Sequence, residues 1–127
     1  MQFDHAGVAT DDAEGLAFLY EDLLGCEIVH EERFGELRVL FLDLGNGYFE
    51  LLEPQDEGTI ARYIDKNGPG LHHVALETTD VETALRQAED LGVELIDENP
   101  RPGAWGHEVA FLHPDSTGGV LIEFVER

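Results

Sequence analysis

The chain has 127 residues, which fits one compact domain or two small fused modules. It carries 28 acidic and only 7 basic residues, giving a formal net charge of −21 at pH 7. Nucleic acid and anionic membrane are excluded as partners, because both bind to basic surfaces. The hydrophobic content of 43% is enough for a folded core. The chain shows neither a membrane-spanning apolar run nor a signal-peptide pattern, so we predict a cytoplasmic protein.

The predicted elements follow the same order in each half of the chain. In the first half, a strand, a helix and three strands are predicted at 3–9, 12–24, 27–32, 37–44 and 48–52. A short helix is predicted at 59–66, and the second half repeats the order at 71–77, 80–91, 94–96, 107–112 and 120–125. Asp12 and the capping-box pattern Thr79-x-x-Glu82 mark the starts of the two long helices, and Gly25 and Gly92 mark their ends.

The two halves are also similar residue by residue. When residues 4–25 are laid over 72–92, His5 falls on His73 and Asp12 falls on Asp80. The closing segments, FELLE at 49–53 and IEFVE at 122–126, match too. This repetition predicts an α+β fold in which one βαβββ unit is used twice in tandem. We predict a single domain of residues 1–127, composed of a module at 1–54, a linker with a short helix at 55–70 and a module at 71–127.

Four polar residues fall on strand faces that are otherwise largely apolar. They are a histidine on the first strand and a glutamate on the last strand of each half, namely His5 with Glu50 and His73 with Glu123. An unpaired buried carboxylate is costly, and metal coordination is one way to stabilise it. If the two copies pack about a pseudo-twofold axis, all four side chains converge. Such a ligand set suits Co²⁺, Mn²⁺, Ni²⁺, Fe²⁺ or Zn²⁺ better than Ca²⁺ or Mg²⁺.

The alternative interpretation is structural. A lone histidine on an apolar strand is more often a hydrogen-bonded core residue than a ligand, and in so acidic a chain Glu50 alone fits a surface charge. The recurrence of a His–Glu pair at matching positions of a duplicated unit favours the metal site.

Five segments, spread over nearly the whole chain, carry a family resemblance. They are FDHAGVA at 3–9, FELLEP at 49–54, TIARYI at 59–64, GLHHVA at 70–75 and HPDSTGGVLIE at 113–123. With these segments the chain resembles the vicinal oxygen chelate (glyoxalase/bleomycin-resistance) superfamily and, within it, the methylmalonyl-CoA epimerase family. The resemblance implies that the modules form a curved mixed sheet around one divalent ion, with Co²⁺ favoured, and that the protein is a homodimer. It implies His5, His73 and Glu123 as ligands, with Glu50 at a position often occupied by glutamine.

The implied reaction interconverts the (R) and (S) forms of methylmalonyl-CoA, a small-molecule CoA thioester, by proton transfer at C2 through a metal-stabilised enolate. The reaction needs one acid/base group on each face of the planar intermediate, and Glu123 and Glu50 are the candidates. Some relatives carry a glutamate where this chain has Val39, so Glu36 or a water molecule is the alternative to Glu50. The alternative functions are a lactoylglutathione lyase (a glyoxalase) and a non-catalytic binding module of the same superfamily.

A CoA substrate also calls for cationic contacts, and the chain has few. Relatives usually carry lysine where Asp115 stands, which removes one possible cation near the CoA phosphates. The remaining candidates away from the termini are Arg62, Lys66, Arg86 and Arg101.

The spread of carboxylates along the whole chain predicts a salt-adapted, halophilic protein. Self-repulsion destabilises so acidic a domain at low salt, whereas at about 1 M salt the Debye length is roughly 3 Å and the repulsion is screened. We therefore expect the melting temperature to be higher in molar KCl than in dilute buffer. Equal thermal stability in the two buffers would contradict salt adaptation.

Overall fold

Each half of the chain forms a strand, a helix and three further strands, as the repeat predicts. The structure, a computed structural model, describes all 127 residues. The first half contains β1 (Gln2–Ala9), α1 (Ala13–Leu24), β2 (Glu27–Phe34), β3 (Leu37–Asp43) and β4 (Tyr48–Pro54). After α2 (Thr59–Asn67), the second half contains β5 (Gly70–Glu77), α3 (Val81–Asp90), β6 (Arg101–Pro102), β7 (Glu108–Leu112) and β8 (Ile122–Glu126). The predicted α+β class and the βαβββ order are confirmed.

The strand pairing is mixed and has the same pattern in both halves. The strand order is β2-β3-β4-β1 in the first half and β5-β8-β7-β6 in the second. The first strand of each half runs parallel to the last one, β1 with β4 and β5 with β8. The other pairings are antiparallel. Since parallel strands need a long crossover connection, the helix of each half lies within that crossover.

The chain divides into two compact units, residues 5–72 and residues 1–4 with 73–127. In the first unit α1 contributes Ala13 and Ala17 to a core that also contains Val8, Cys26, Leu40, Leu42 and Leu51. In the second, α3 contributes Val81, Ala84, Leu85 and Ala88 to a core that also contains Ala110, Leu112 and Phe124 of the sheet. Because side chains alternate along a strand, the residues between these core positions project from the other face of each sheet. None of the three helices is long and apolar enough to cross a membrane.

Two local predictions need correction. Helix α3 is capped by Asp80, not by Thr79, because the Asp80 carboxylate accepts hydrogen bonds from both the amide and the hydroxyl of Thr83, at 3.2 and 2.9 Å. The predicted strand at 94–96 is only an isolated bridge between Leu95 and Leu112. There the Asp97 carboxylate accepts the amide hydrogen of Phe111 at 2.9 Å, so a side chain replaces the next backbone partner.

The N-cap of α1 gives a stability test. The Asp12 carboxylate accepts the amide hydrogen of Gly15 at 3.0 Å, and Gly25 ends the helix in the left-handed conformation with φ 70°. Replacing Asp12 by alanine leaves that amide without its acceptor, so we expect the free energy of unfolding to fall by about 1 kcal/mol. Urea unfolding in molar KCl measures the change. The control is Asp11→Ala, which removes the same charge from an exposed position without an N-cap contact. An equal loss in both variants would attribute the effect to charge.

Candidate metal centre

The first candidate ligand pair lies within residues 5–72. His5 on β1 and Glu50 on β4 are buried, with 3% and 5% of their surface exposed. The Nε2 atom of His5 lies 3.2 Å from Oε1 of Glu50. The alternative interpretation of Glu50 as a surface charge is therefore wrong, because this carboxylate is inside the fold.

The second pair lies in the other unit and repeats the first in detail. His73 on β5 and Glu123 on β8 are 5% and 7% exposed. The Nε2 atom of His73 also lies 3.2 Å from Oε1 of Glu123. Each half of the chain therefore buries one imidazole directly against one carboxylate.

The strand register explains why both pairs have the same geometry. Glu50 is the register partner of Gly7 on β1, two residues after His5. Glu123 is the register partner of Ala75 on β5, again two residues after the histidine of its half. Residues two apart share a face, so histidine and glutamate meet diagonally across the parallel strand pair. On the parallel neighbouring strand, the residue opposite each glutamate is small, which leaves room for the imidazole to reach the carboxylate.

A phenylalanine supports each imidazole, which the sequence analysis missed. The ring of Phe41 on β3 meets the His5 ring edge-to-face, with centroids 5.5 Å apart and planes at 87°. The ring of Phe111 on β7 meets His73 at 5.5 Å and 82°. Each phenylalanine is also the direct register partner of the glutamate of its half. The signal was present as a second repeat, Val-Leu-Phe-Leu at 39–42 and Val-Ala-Phe-Leu at 109–112.

The donor set and its spacing fit a divalent ion. Each of the four side chains offers one nitrogen or oxygen, and these atoms all lie within 4.8 Å of one another. Two ligand atoms bound at roughly 2.1 Å with angles of about 90–110° lie about 3.0–3.4 Å apart, and two on opposite sides of an ion about 4.2 Å apart. The 3.2 Å separation in both pairs falls within the first range. The His/Glu cluster is thus compatible with a metal site.

The other acid/base candidates of the first module lie in different surroundings. Val39 is fully buried and carries no titratable group. Glu36 belongs to the turn before β3, and its carboxylate lies so close to Gly58 that a side chain at residue 58 would collide with it. Five residues of extended chain, about 17 Å, separate Glu36 from Phe41, the register partner of Glu50. Glu36 therefore sits at the start of α2, not beside the His5–Glu50 pair.

The other histidines contact residues outside the two pairs. His30 lies near a carboxylate, His72 packs against an aromatic ring, His107 meets a guanidinium and His113 accepts a backbone hydrogen bond. Their partners are Glu32 for His30, Tyr63 for His72, Arg127 for His107 and the amide of Asp115 for His113.

Known proteins are similar to this chain in both sequence and fold. The family model described as the glyoxalase/bleomycin resistance protein/dioxygenase superfamily matches residues 4–111. An ethylmalonyl-CoA/methylmalonyl-CoA epimerase of Cereibacter sphaeroides is 34% identical over 96% of this chain and 95% of its own length.

Two solved structures are similar to this protein over nearly the whole chain. The crystal structure of methylmalonyl-CoA epimerase from Mycobacterium tuberculosis has a TM-score of 0.92 and 35% identity, covering 98% of this chain and 87% of that one. A variant of the Streptomyces coelicolor methylmalonyl-CoA epimerase in complex with 2-nitronate-propionyl-CoA has a TM-score of 0.91 and 34% identity, covering 99% and 94%. The chain therefore belongs to the glyoxalase/bleomycin resistance protein/dioxygenase superfamily and is an epimerase of the methylmalonyl-CoA epimerase family.

Proposed function

We propose that the protein interconverts the (R) and (S) forms of methylmalonyl-CoA at C2 with one divalent ion bound by His5, Glu50, His73 and Glu123. The observation that carries the proposal is the duplicated buried pair, with an imidazole nitrogen 3.2 Å from a carboxylate oxygen in each half. A buried histidine–glutamate ion pair offers little net stability by itself, because desolvation offsets the attraction. Two such pairs with ligand spacing are better explained by a shared cation.

The bound ion would supply Lewis-acid stabilisation of the negative charge that develops on the substrate oxygens. Two neutral imidazoles and two carboxylates suit Co²⁺, Mn²⁺, Ni²⁺, Fe²⁺ or Zn²⁺, and the family resemblance favours Co²⁺.

The residues of the chain would move the proton. Epimerisation requires one group to remove the C2 proton and a second group to return a proton to the other face of the planar intermediate. We assign these roles to Glu123 and Glu50. A carboxylate has two oxygens, so one can bind the ion while the other exchanges a proton with the substrate. Glu36 is disfavoured as the second group, because its carboxylate lies against Gly58 at the start of α2.

The surroundings of the two glutamates favour carbanion chemistry. Leu52 lies next to Glu50 on the same strand face, and Val39, the register partner of Leu52 on β3, is fully buried. Val125 and Val109 are the equivalent buried pair beside Glu123. These apolar side chains would exclude water, which would otherwise protonate the intermediate without stereochemical control.

The homodimer and the cytoplasmic location that the sequence predicts stay predictions. Size-exclusion chromatography with light scattering in molar KCl tests the first, and cell fractionation tests the second.

The function itself is tested with metal-loaded protein in deuterated, high-salt buffer. Starting from one C2 epimer of methylmalonyl-CoA, we expect deuterium at C2 together with formation of the other epimer, and no lyase activity on the glutathione–methylglyoxal adduct. Activity on the adduct alone would assign the protein to the lyases. Inactivity on both substrates at full metal occupancy would favour a binding module.

Metal removal gives an independent prediction. A chelator should release one ion per chain and lower both epimerase activity and melting temperature, because a ligand that binds only the folded state stabilises it. His73→Ala should abolish stoichiometric binding when Co²⁺ is titrated by calorimetry or followed by its absorption spectrum. His113→Ala is the control, since that histidine caps a surface turn. Unchanged Co²⁺ binding by the His73 variant would remove His73 from the ligand set.

Substitution of the glutamates separates the two proton-transfer roles. Glutamine retains an oxygen ligand but no titratable group, so we expect Glu123→Gln and Glu50→Gln each to slow epimerisation by about 10²–10⁴-fold. Each variant should still exchange C2 deuterium into the one epimer that its remaining glutamate faces. Glu53→Gln on the same strand as Glu50 should be fully active, because residue 53 projects from the opposite sheet face. Full epimerase activity of Glu50→Gln would show that another group is the second acid/base.

A further inference from the structure

Five of the seven basic side chains are already neutralised by carboxylates of the chain. They form ion pairs at 2.5–3.0 Å, which are Arg33 with Asp56, Arg38 with Glu31, Arg86 with Glu89, Arg101 with Asp97 and Arg127 with Asp4. Arg38 also lies 3.6 Å from Glu14, and its hydrogen bond to Glu31 raises its pKa above the ordinary arginine value. These five guanidinium groups are committed to the fold.

Arg62 and Lys66 are the exceptions. Both are exposed residues of α2, and neither lies within 4 Å of a carboxylate, although 28 acidic residues are available. The one acidic residue of this helix, Asp65, forms no ion pair with either of them. Arg62 and Lys66 are four residues apart, so they project from the same side of the helix as neighbours. A protein of net charge −21 thus keeps two adjacent cations unneutralised at one place.

Helix α2 lies in the sequence between the strands that carry two of the candidate metal ligands. It connects β4, which carries Glu50, to β5, which carries His73. The Tyr63 hydroxyl donates a 2.7 Å hydrogen bond to the carbonyl of Leu71, and the Tyr63 ring packs edge-to-face on His72 at 4.8 Å. Ile60 anchors the inner side of the helix with 5% exposure. The two cations therefore stand on a fixed helix beside the start of the strand that carries His73.

We infer that Arg62 and Lys66 bind the phosphate groups of the CoA moiety, an assignment that rests on the proposed function. The diphosphate and the 3′-phosphate make CoA a polyanion, which so acidic a protein repels unless it offers a local positive patch. The guanidinium of Arg62 suits bidentate phosphate contacts, and Lys66 adds a flexible point charge. Arg86 and Arg101 fit this role less well, because binding phosphate would break their existing ion pairs.

The test compares substrates with and without the nucleotide. In Arg62→Gln/Lys66→Gln we expect the KM for methylmalonyl-CoA to rise about tenfold or more, with kcat unchanged. The KM for the methylmalonyl thioester of pantetheine, which has no phosphates, should not change. The KM for the CoA ester should also rise less steeply with KCl in the variant, because fewer phosphate contacts are left to screen. The matched control Arg86→Gln, which removes an exposed helical arginine, should leave both KM values at the wild-type level.

Calorimetric measurement of CoA binding separates the phosphate assignment from the proposed epimerase function. If the wild-type protein epimerises the substrate but the double variant retains the wild-type KM and affinity for CoA, the phosphate assignment is overturned and the epimerase function stands. If the wild-type protein binds CoA without epimerising its ester, the proposed reaction fails. In that case, weaker CoA binding by the double variant than by the wild-type protein still supports the phosphate assignment. Absence of CoA binding by the wild-type protein overturns the phosphate assignment.

Discussion

Burying a carboxylate against an imidazole imposes the constraint on which each half of this protein depends. The pair forms only if the first and last strands of the half run side by side with the glutamate opposite the second residue after the histidine. Parallel pairing in turn requires a crossover, which the helix provides on the other face. The small residues Gly7 and Ala75 and the edge-on rings of Phe41 and Phe111 then shape the space that the imidazole occupies.

The acidic charge of the chain favours a cation in the space beside the buried carboxylates. A chain of net charge −21 gains nothing from two more carboxylates in its interior unless a cation neutralises them. The same excess of acid consumes five of the seven basic side chains in ion pairs. A divalent ion bound by the glutamates would then be one source of local positive charge for an anionic thioester. The two cations of α2 would be the other. On this view ion pairs within the chain and substrate recognition compete for the same few positive charges.

Comparison of prediction and structure shows which signals were sufficient. The internal repeat located His5, Glu50, His73 and Glu123, because a polar residue on an apolar strand face stands out in both copies. It did not identify Phe41 and Phe111, since an apolar residue on a strand looks like ordinary core. The strand predicted at 94–96 and the cap predicted at Thr79 failed for a shared reason. In both places an aspartate side chain, Asp97 or Asp80, took a backbone hydrogen bond that a short-range pattern assigns elsewhere.

The sequence by itself determined the duplicated βαβββ order, the two His–Glu pairs and the family, because periodicity, repetition and motifs are local properties of the chain. Only the tertiary structure decided that Glu50 is buried, that Glu36 lies at α2, and that Arg62 and Lys66 are unneutralised while Arg86 and Arg101 are not. These facts depend on which residues meet across strands or between a helix and a loop. An arginine reads the same in a sequence whether or not a carboxylate lies beside it, and only the packed chain distinguishes the two cases.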